Sequence, residues 1–204
     1  MSISEIVLFG QRRPADCFGP DYLPELRRIL QSYVRPRTRA YLEWGTGIST
    51  MAILQWRQDL PLDRFFSLDD SEPYMAELLP QLPGWSGFHP ITIDLRGTIE
   101  SDRDPSLNYS TLPLSFGTKF DFIFIDGRRR MECALIASLL CHRETIVLLH
   151  DYRRARYQPI MTLFKIVEDG PQFRVMRLRS NLLIPNKLRN IPQRFIDPRP
   201  INSG

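Results

Sequence analysis

The sequence predicts an α/β fold, a three-layer α/β/α sandwich on a mostly parallel seven-stranded sheet with an antiparallel edge hairpin. Three observations carry the prediction. Short apolar runs alternate with helical patterns from residue 22 to about 185, the signature of βαβ units. Runs such as Phe120–Ile125 are apolar almost throughout, as strands covered on both faces of a parallel sheet must be. Five of these runs end in carboxylates, where α/β sheets hold their ligands.

The elements follow in order. Residues 1–21 read as an N-terminal extension. Tyr22–Val34 reads as a helix, with Asp21 as N-cap, Pro24 in the tolerant first turn, and Leu23, Leu26, Ile29, Leu30 and Tyr33 on one face. Arg39–Trp44 is the first strand of the sheet, running into Gly45-Thr46-Gly47 and a helix over Ser49–Asp59. Arg64–Leu68 is the second strand, ending at Asp69-Asp70, and the helix Glu72–Leu79 is stopped by Pro80. His89–Leu95 is the third strand. Residues 96–118 show no period and read as a long loop, of the kind that is often functional.

Phe120–Ile125 then makes a buried strand ending at Asp126-Gly127, followed by a helix over Arg129–Cys141. Thr145–Leu149 is the fifth strand, ending at His150-Asp151, and Ala155–Glu168 reads as a helix with Pro159 near its first turn. Phe173–Leu178 and Asn181–Ile184, around Arg179-Ser180, read as the antiparallel hairpin. The tail, residues 186–204, is polar, basic and proline-rich and is expected to be extended or disordered.

With 204 residues, 43% hydrophobic and 25% charged, the chain fits one domain spanning residues 22–185. Its longest nearly apolar stretch, Ala134–Cys141, is far short of the roughly 20 residues of a membrane helix. Met1–Gly10 lacks the basic start of a secretory signal, so a cytoplasmic protein is expected. Cys17, Cys133 and Cys141 form no disulfide framework and no zinc spacing. Charge is uneven: residues 1–120 hold 12 Lys+Arg against 15 Asp+Glu, and 121–204 hold 15 against 8. That skew suits an anionic substrate, an acidic partner or nucleic acid, or is simply a solvated face.

Glu43-x-Gly45-x-Gly47 is the first discriminating feature, because its glycines permit a tight turn and close backbone approach to a ligand. A dinucleotide site needs G-x-G-x-x-G. Here the sixth position is Thr50, and Glu43 would face the pyrophosphate, which disfavours NAD. A carboxylate at that turn suits a cationic ligand, and Asp69 is placed to hold a pair of ribose hydroxyls. The bland alternative is a glycine turn serving only strand-to-helix geometry, with Asp69 as a helix cap.

On these residues the chain, over roughly 22–184, resembles class I S-adenosylmethionine-dependent methyltransferases. It looks most like small bacterial methyltransferase-like proteins with an E-x-G-x-G-x-S-T turn and D-G-R-x-R after the fourth strand. The corresponding residues here are Glu43-Trp44-Gly45-Thr46-Gly47-Ile48-Ser49-Thr50 and Asp126-Gly127-Arg128-Arg129-Arg130, with His150-Asp151-Tyr152 after the fifth strand. The resemblance implies a Rossmann-like fold. It implies that Glu43, Gly45, Gly47 and Ser49 surround the methionine part of the cofactor, that Asp69 binds the ribose, and that Asp94 lies toward the adenine. Asp126 and Asp151 fall where cation-dependent O-methyltransferases of this superfamily hold Mg²⁺ or a similar divalent ion, although Tyr152 stands where those enzymes carry Asn.

Without a metal, Asp126, His150 or Asp151 would take the acceptor proton, His150 being best matched to neutral pH; alternatively His150 only bonds nearby backbone. Arg128, Arg130, Arg153 and Arg156 could clamp an anionic group of the substrate or pair with neighbouring acids, and Tyr157 and Tyr109 could close over it. The expected reaction is methyl transfer to an oxygen or nitrogen nucleophile of a small molecule or sugar. Rival readings are a non-catalytic binding protein working through the basic C-terminal half, and a nucleic-acid methyltransferase. The latter ranks lower for want of an Asn/Asp-Pro-Pro-aromatic motif or an RNA-binding module. The sequence leaves the oligomeric state open.

Overall fold

The structure, a computed structural model, describes residues 21–33, 35, 39–60, 62–95 and 103–180, and the backbone alone of 5–8, 11–14 and, within the last range, 103–106. Nine strands and five α-helices are described: β1 Glu5–Leu8, β2 Gln11–Pro14, α1 Tyr22–Tyr33, β3 Ala40–Trp44, α2 Ile48–Trp56, β4 Arg64–Asp69, α3 Glu72–Leu78, β5 Phe88–Thr92, α4 Arg103–Thr111, β6 Phe120–Ile125, α5 Arg130–Leu140, β7 Cys141–His150, β8 Phe164–Asp169 and β9 Phe173–Leu178. Short 3₁₀ segments cover Leu79–Gln81, Leu112–Phe116 and Ala155–Thr162. β1 and β2 pair antiparallel, Glu5 opposite Pro14, and β1 lies beside α3.

The other seven strands form one sheet in the order β5-β4-β3-β6-β7-β9-β8. β5 to β7 are parallel, whereas β9 runs antiparallel to β7 and β8 antiparallel to β9. Strand alternation sends odd and even residues to opposite layers. Tyr41, Phe65, Phe122, Phe124 and Leu148 pack with α1, α2 and Leu78 of α3. Leu42, Trp44, Leu68, Ile123, Ile125, Val147 and Leu149 pack with α5 and the segments around Tyr109 and Tyr157. Both faces are therefore dry, which explains why these strands read as continuous apolar runs. The chain winds outward from β3 through β4 to β5 and then returns to β6, so the strand order reverses between β3 and β6. In such sheets that reversal opens a crevice at the carboxyl ends.

Three expectations are corrected. Residues 103–116 of the expected loop are helical, because the segment docks: Tyr109 and Ser110 are buried, and the Trp44 indole N–H donates to the Tyr109 carbonyl at 3.1 Å. Asp, Ser and Pro hide this helix from periodicity, and tertiary contact overrides their poor propensity. The helix expected over 155–168 is instead the 3₁₀ segment and β8. Lys165, Ile166 and Val167 are exposed at the sheet edge, which erases the alternation that would have marked a strand. Consequently the edge hairpin joins β8 to β9, Phe164 opposite Leu178, rather than 173–178 to 181–184. Asn181–Ile184 and the tail 186–204 lie outside the described residues.

Candidate functional site

Two glycine turns flank the crevice. Gly45 has φ +102°, and a Cβ there would sit 2.6 Å from the Gly127 nitrogen; a Cβ on Gly127 would sit 2.9 Å from the Gly45 nitrogen. The turns after β3 and β6 thus touch backbone to backbone, an approach only glycine permits. Gly47 starts α2 in extended backbone.

Alternation places Glu43, Ser67, Asp69, Asp126 and His150 toward the same layer, beneath α1 and α2. Glu43 is fully buried and takes hydrogen bonds from the hydroxyls of Ser49, Thr50 (2.5 Å) and Ser67 (2.8 Å). The register that sets Glu43 opposite Ser67 makes the last bond possible. Thr50 also receives the Gly47 N–H at 2.8 Å, and Thr46 and Ser67 share a bond at 2.8 Å. Burial outweighs the three hydroxyls and pushes the Glu43 carboxyl from its ordinary 4.5 to about 7. With no exposed surface, Glu43 braces the turn through Ser49 and Thr50 of α2.

Asp126 is the hub. Its Oδ1 accepts from Arg130 Nη2 (2.9 Å) and His150 Nδ1 (2.8 Å), and its Oδ2 from the Tyr22 hydroxyl (3.2 Å). With Nδ1 facing a carboxylate, the neutral His150 tautomer carries its proton on Nδ1 and presents a lone pair at Nε2. The His150 ring is held edge-on by Tyr22, with centroids 5.3 Å apart, and lies against Phe173. Burial lowers the His150 pKa, but the hydrogen bond and charge of Asp126 and the charge of Asp151 raise it more, so it ends above 6.5. Burial, reinforced by the charges of Asp126 and Glu43, keeps the Tyr22 hydroxyl protonated and therefore a donor.

Across the Gly45 turn, Asp69 is 8% exposed and accepts the Ser71 N–H at 3.0 Å. Burial, then the charge of Asp70, raises its pKa from 3.8 to about 7, and no cation pairs with it among the described residues. Asp70 instead pairs with Arg128 at 2.6 Å, joining the ends of β4 and β6. Asp94 is exposed beyond β5.

The arginines divide. Arg128 keeps 72% of its side chain exposed while holding Asp70. Arg130, expected at the substrate, is 11% exposed and spends its donors within the protein. Asp151 pairs with Arg130 at 3.2 Å and Arg154 at 2.7 Å. Arg153 and Arg156 are exposed and have no carboxylate partner among the described residues. Arg153 lies 5.5 Å over the Tyr152 ring and Arg156 4.9 Å over Tyr157, both rings being buried. Tyr157 and Tyr109, expected to close over the substrate, are both buried.

The divalent ion does not fit. A guanidinium already joins Asp126 to Asp151, and no group of three His, Cys, Asp or Glu side chains suited to a metal occurs among the described residues. Sequence reasoning missed Tyr22 and Ser67. Ser67 could have been found by stepping back two residues, one full alternation, from Asp69. Tyr22 had no signal, since its partner lies 104 residues away.

No protein-family model and no curated protein matches the sequence. Solved structures do match. A methyltransferase-like protein from Silicibacter pomeroyi is 20% identical with a TM-score of 0.62, covering 88% of this chain and 95% of its own. The N-methyltransferase NodS from Bradyrhizobium japonicum is 12% identical with a TM-score of 0.52, covering 81% and 99%. The MycE methyltransferase of the mycinamycin pathway, solved with Mg and S-adenosylhomocysteine, is 11% identical with a TM-score of 0.52, covering 78% and 46%. The likeness is one of fold: the chain has the Rossmann-like methyltransferase fold, a seven-stranded mixed sheet with an antiparallel edge.

Proposed function

We propose that this protein transfers a methyl group from S-adenosylmethionine to an oxygen or nitrogen nucleophile of a small molecule or sugar that carries an anionic group. The observation that carries this reading is the pairing, across the strand-order reversal, of Asp69, a carboxylate with no cation partner among the described residues, with the Asp126–His150 dyad. Among the described residues Asp69 accepts only backbone donors, and it fits a vicinal diol, whose hydroxyls would favour its ionised form. The backbone of Gly45–Gly47 lines the space between. When bound, the cofactor supplies an electrophilic methyl on a sulfonium, whose transfer needs no covalent enzyme intermediate.

His150 Nε2 takes the proton from the attacking hydroxyl or amine, and Asp126 fixes the ring and stabilises the imidazolium. Arg153 and Arg156, preset on tyrosine rings, meet the acceptor's negative charge. The expected compartment is the cytosol, where the buried free thiols Cys133 and Cys141 would stay reduced; among the described residues no helix is long and apolar enough to cross a membrane.

Calorimetry with S-adenosylmethionine and S-adenosylhomocysteine, with and without Mg²⁺ and beside NAD, tests the reading. Both sulfur ligands should bind, independently of Mg²⁺, and Asp69→Ala should weaken them at least about tenfold, the loss of one charge-assisted hydrogen bond. Equal affinity in Asp69→Ala would remove Asp69 from the site. Absence of binding under every condition would favour a protein that keeps the fold without the reaction.

A further inference from the structure

We propose that Arg130 is a resident cation that takes the place of a divalent metal ion between the strand-end carboxylates of Asp126 and Asp151, and so positions the carboxylate that orients His150. A guanidinium has five N–H groups in a rigid fork. Nε donates to the Gly127 carbonyl at 2.9 Å. Nη1 donates to the His150 carbonyl at 2.7 Å and Asp151 Oδ2 at 3.2 Å. Nη2 donates to the Asp126 carbonyl at 2.8 Å and Asp126 Oδ1 at 2.9 Å. Every donor is used, and the acceptors are two carboxylates and three carbonyls, the hard oxygens a Mg²⁺ or Ca²⁺ ion would collect.

The backbone is shaped around this group. Arg129 and Asp151, neither a glycine, take left-handed conformations with φ of 52° and 58°, a conformation that L-residues adopt at a cost. The first turns the chain into α5 directly before Arg130; the second lies next to the His150 carbonyl that Arg130 holds. Tyr157 lies 5.5 Å from the guanidinium, adding a cation–π contact from a buried ring. The charges balance: Arg130 and Arg154 together offset Asp126 and Asp151. A divalent ion would have to enter beside two guanidiniums and find its oxygens already taken. Because Asp126 Oδ1 accepts from both Arg130 and His150, fixing that carboxylate fixes the imidazole.

This inference deepens the methyl-transfer reading and rests on it only for the use made of His150. Its tests need neither cofactor nor acceptor, so they fail or succeed separately from the binding measurements above. Electron paramagnetic resonance on the intact protein should find no stoichiometric Mn²⁺ binding, and EDTA should leave Tm unchanged. Stoichiometric Mn²⁺ binding to the wild type that Asp126→Asn abolishes would overturn the proposal.

Arg130→Ala leaves two carboxylates without their shared cation, and its Tm should fall by about 10 °C or more. Millimolar guanidinium or Mn²⁺ should recover a substantial part of that loss in Arg130→Ala while leaving the wild type unmoved, a response that lost packing alone would not give. Recovery by neither cation would overturn the proposal. If Arg130→Ala does not fold, the same comparison in Arg130→Lys decides, where Tm should fall less and Mn²⁺ should have no effect. A Tm of Arg130→Lys raised by Mn²⁺ would count against Arg130 as the cation.

Discussion

Glu43 is a carboxylate with no exposed surface, and its chemistry follows from that burial. Its pKa rises from 4.5 to about 7 because burial costs its charged form more than three hydroxyls return. Folding therefore favours the protonated carboxyl. The associated stability is fully present below pH 4.5 and is lost as the pH rises through 7, a change of about 3 kcal/mol for a shift of that size. Asp69, moved from 3.8 to about 7, has the same sign. Urea denaturation at pH 5 and pH 8 should show the protein less stable at pH 8, with Glu43→Gln showing a smaller difference; an unchanged difference would mean Glu43 is ionised across the range. Binding supplies the complementary test at Asp69. Because diol hydroxyls favour the carboxylate, S-adenosylhomocysteine affinity should rise between pH 6 and pH 8, and it should lose that dependence in Asp69→Ala. Gly45 makes a purely steric prediction. At φ +102°, with a backbone nitrogen where a Cβ would meet it, Gly45→Ala should cost about 2–4 kcal/mol in equilibrium unfolding.

At the scale of elements, α1 ties the crevice to the sheet edge. Tyr22, its first residue, reaches Asp126, and one turn later the buried Glu25 accepts the Gln172 and Phe173 N–H groups at 2.8 and 3.3 Å, closing the β8–β9 turn. Phe173 in turn touches the His150 ring. Glu25→Ala should therefore destabilise the fold by about 2–3 kcal/mol, the cost of stranding one buried and one half-buried donor, whereas Glu25→Gln should cost less. A denaturation series comparing the two checks this. Both edges of the sheet carry features that block strand addition. β5 has Pro90 at its centre, and the register of β8 with β9 shifts between Ile166 and Glu168.

For the whole molecule, the strand order brings residues from the ends of β3, β4, β6 and β7 to one rim. A ligand that bridges that rim stabilises the native state by mass action. At one hundred times its dissociation constant, S-adenosylhomocysteine should add about 2.7 kcal/mol and raise Tm by about 5–10 °C, with no rise from NAD. A thermal scan with each ligand checks this prediction.

By itself the sequence determined the alternating α/β plan, the parallel strands around β3 to β7 and the glycine turn after β3. These follow from local rules: a strand dry on both faces must be apolar throughout, and a turn meeting another backbone must be glycine. The strand ends were also legible, because carboxylates stop buried runs. Tertiary structure alone decided the rest. A strand at an exposed edge loses its alternation, so β8 looked helical, and the helix carrying Tyr109 is stable only because it docks. Above all, the division of labour among the arginines depends on distances between strand ends that are remote in sequence. Spacing put Arg128 and Arg130 on one motif, but only packing committed Arg130 to Asp126 and Asp151 and left Arg153 and Arg156 without a carboxylate partner among the described residues.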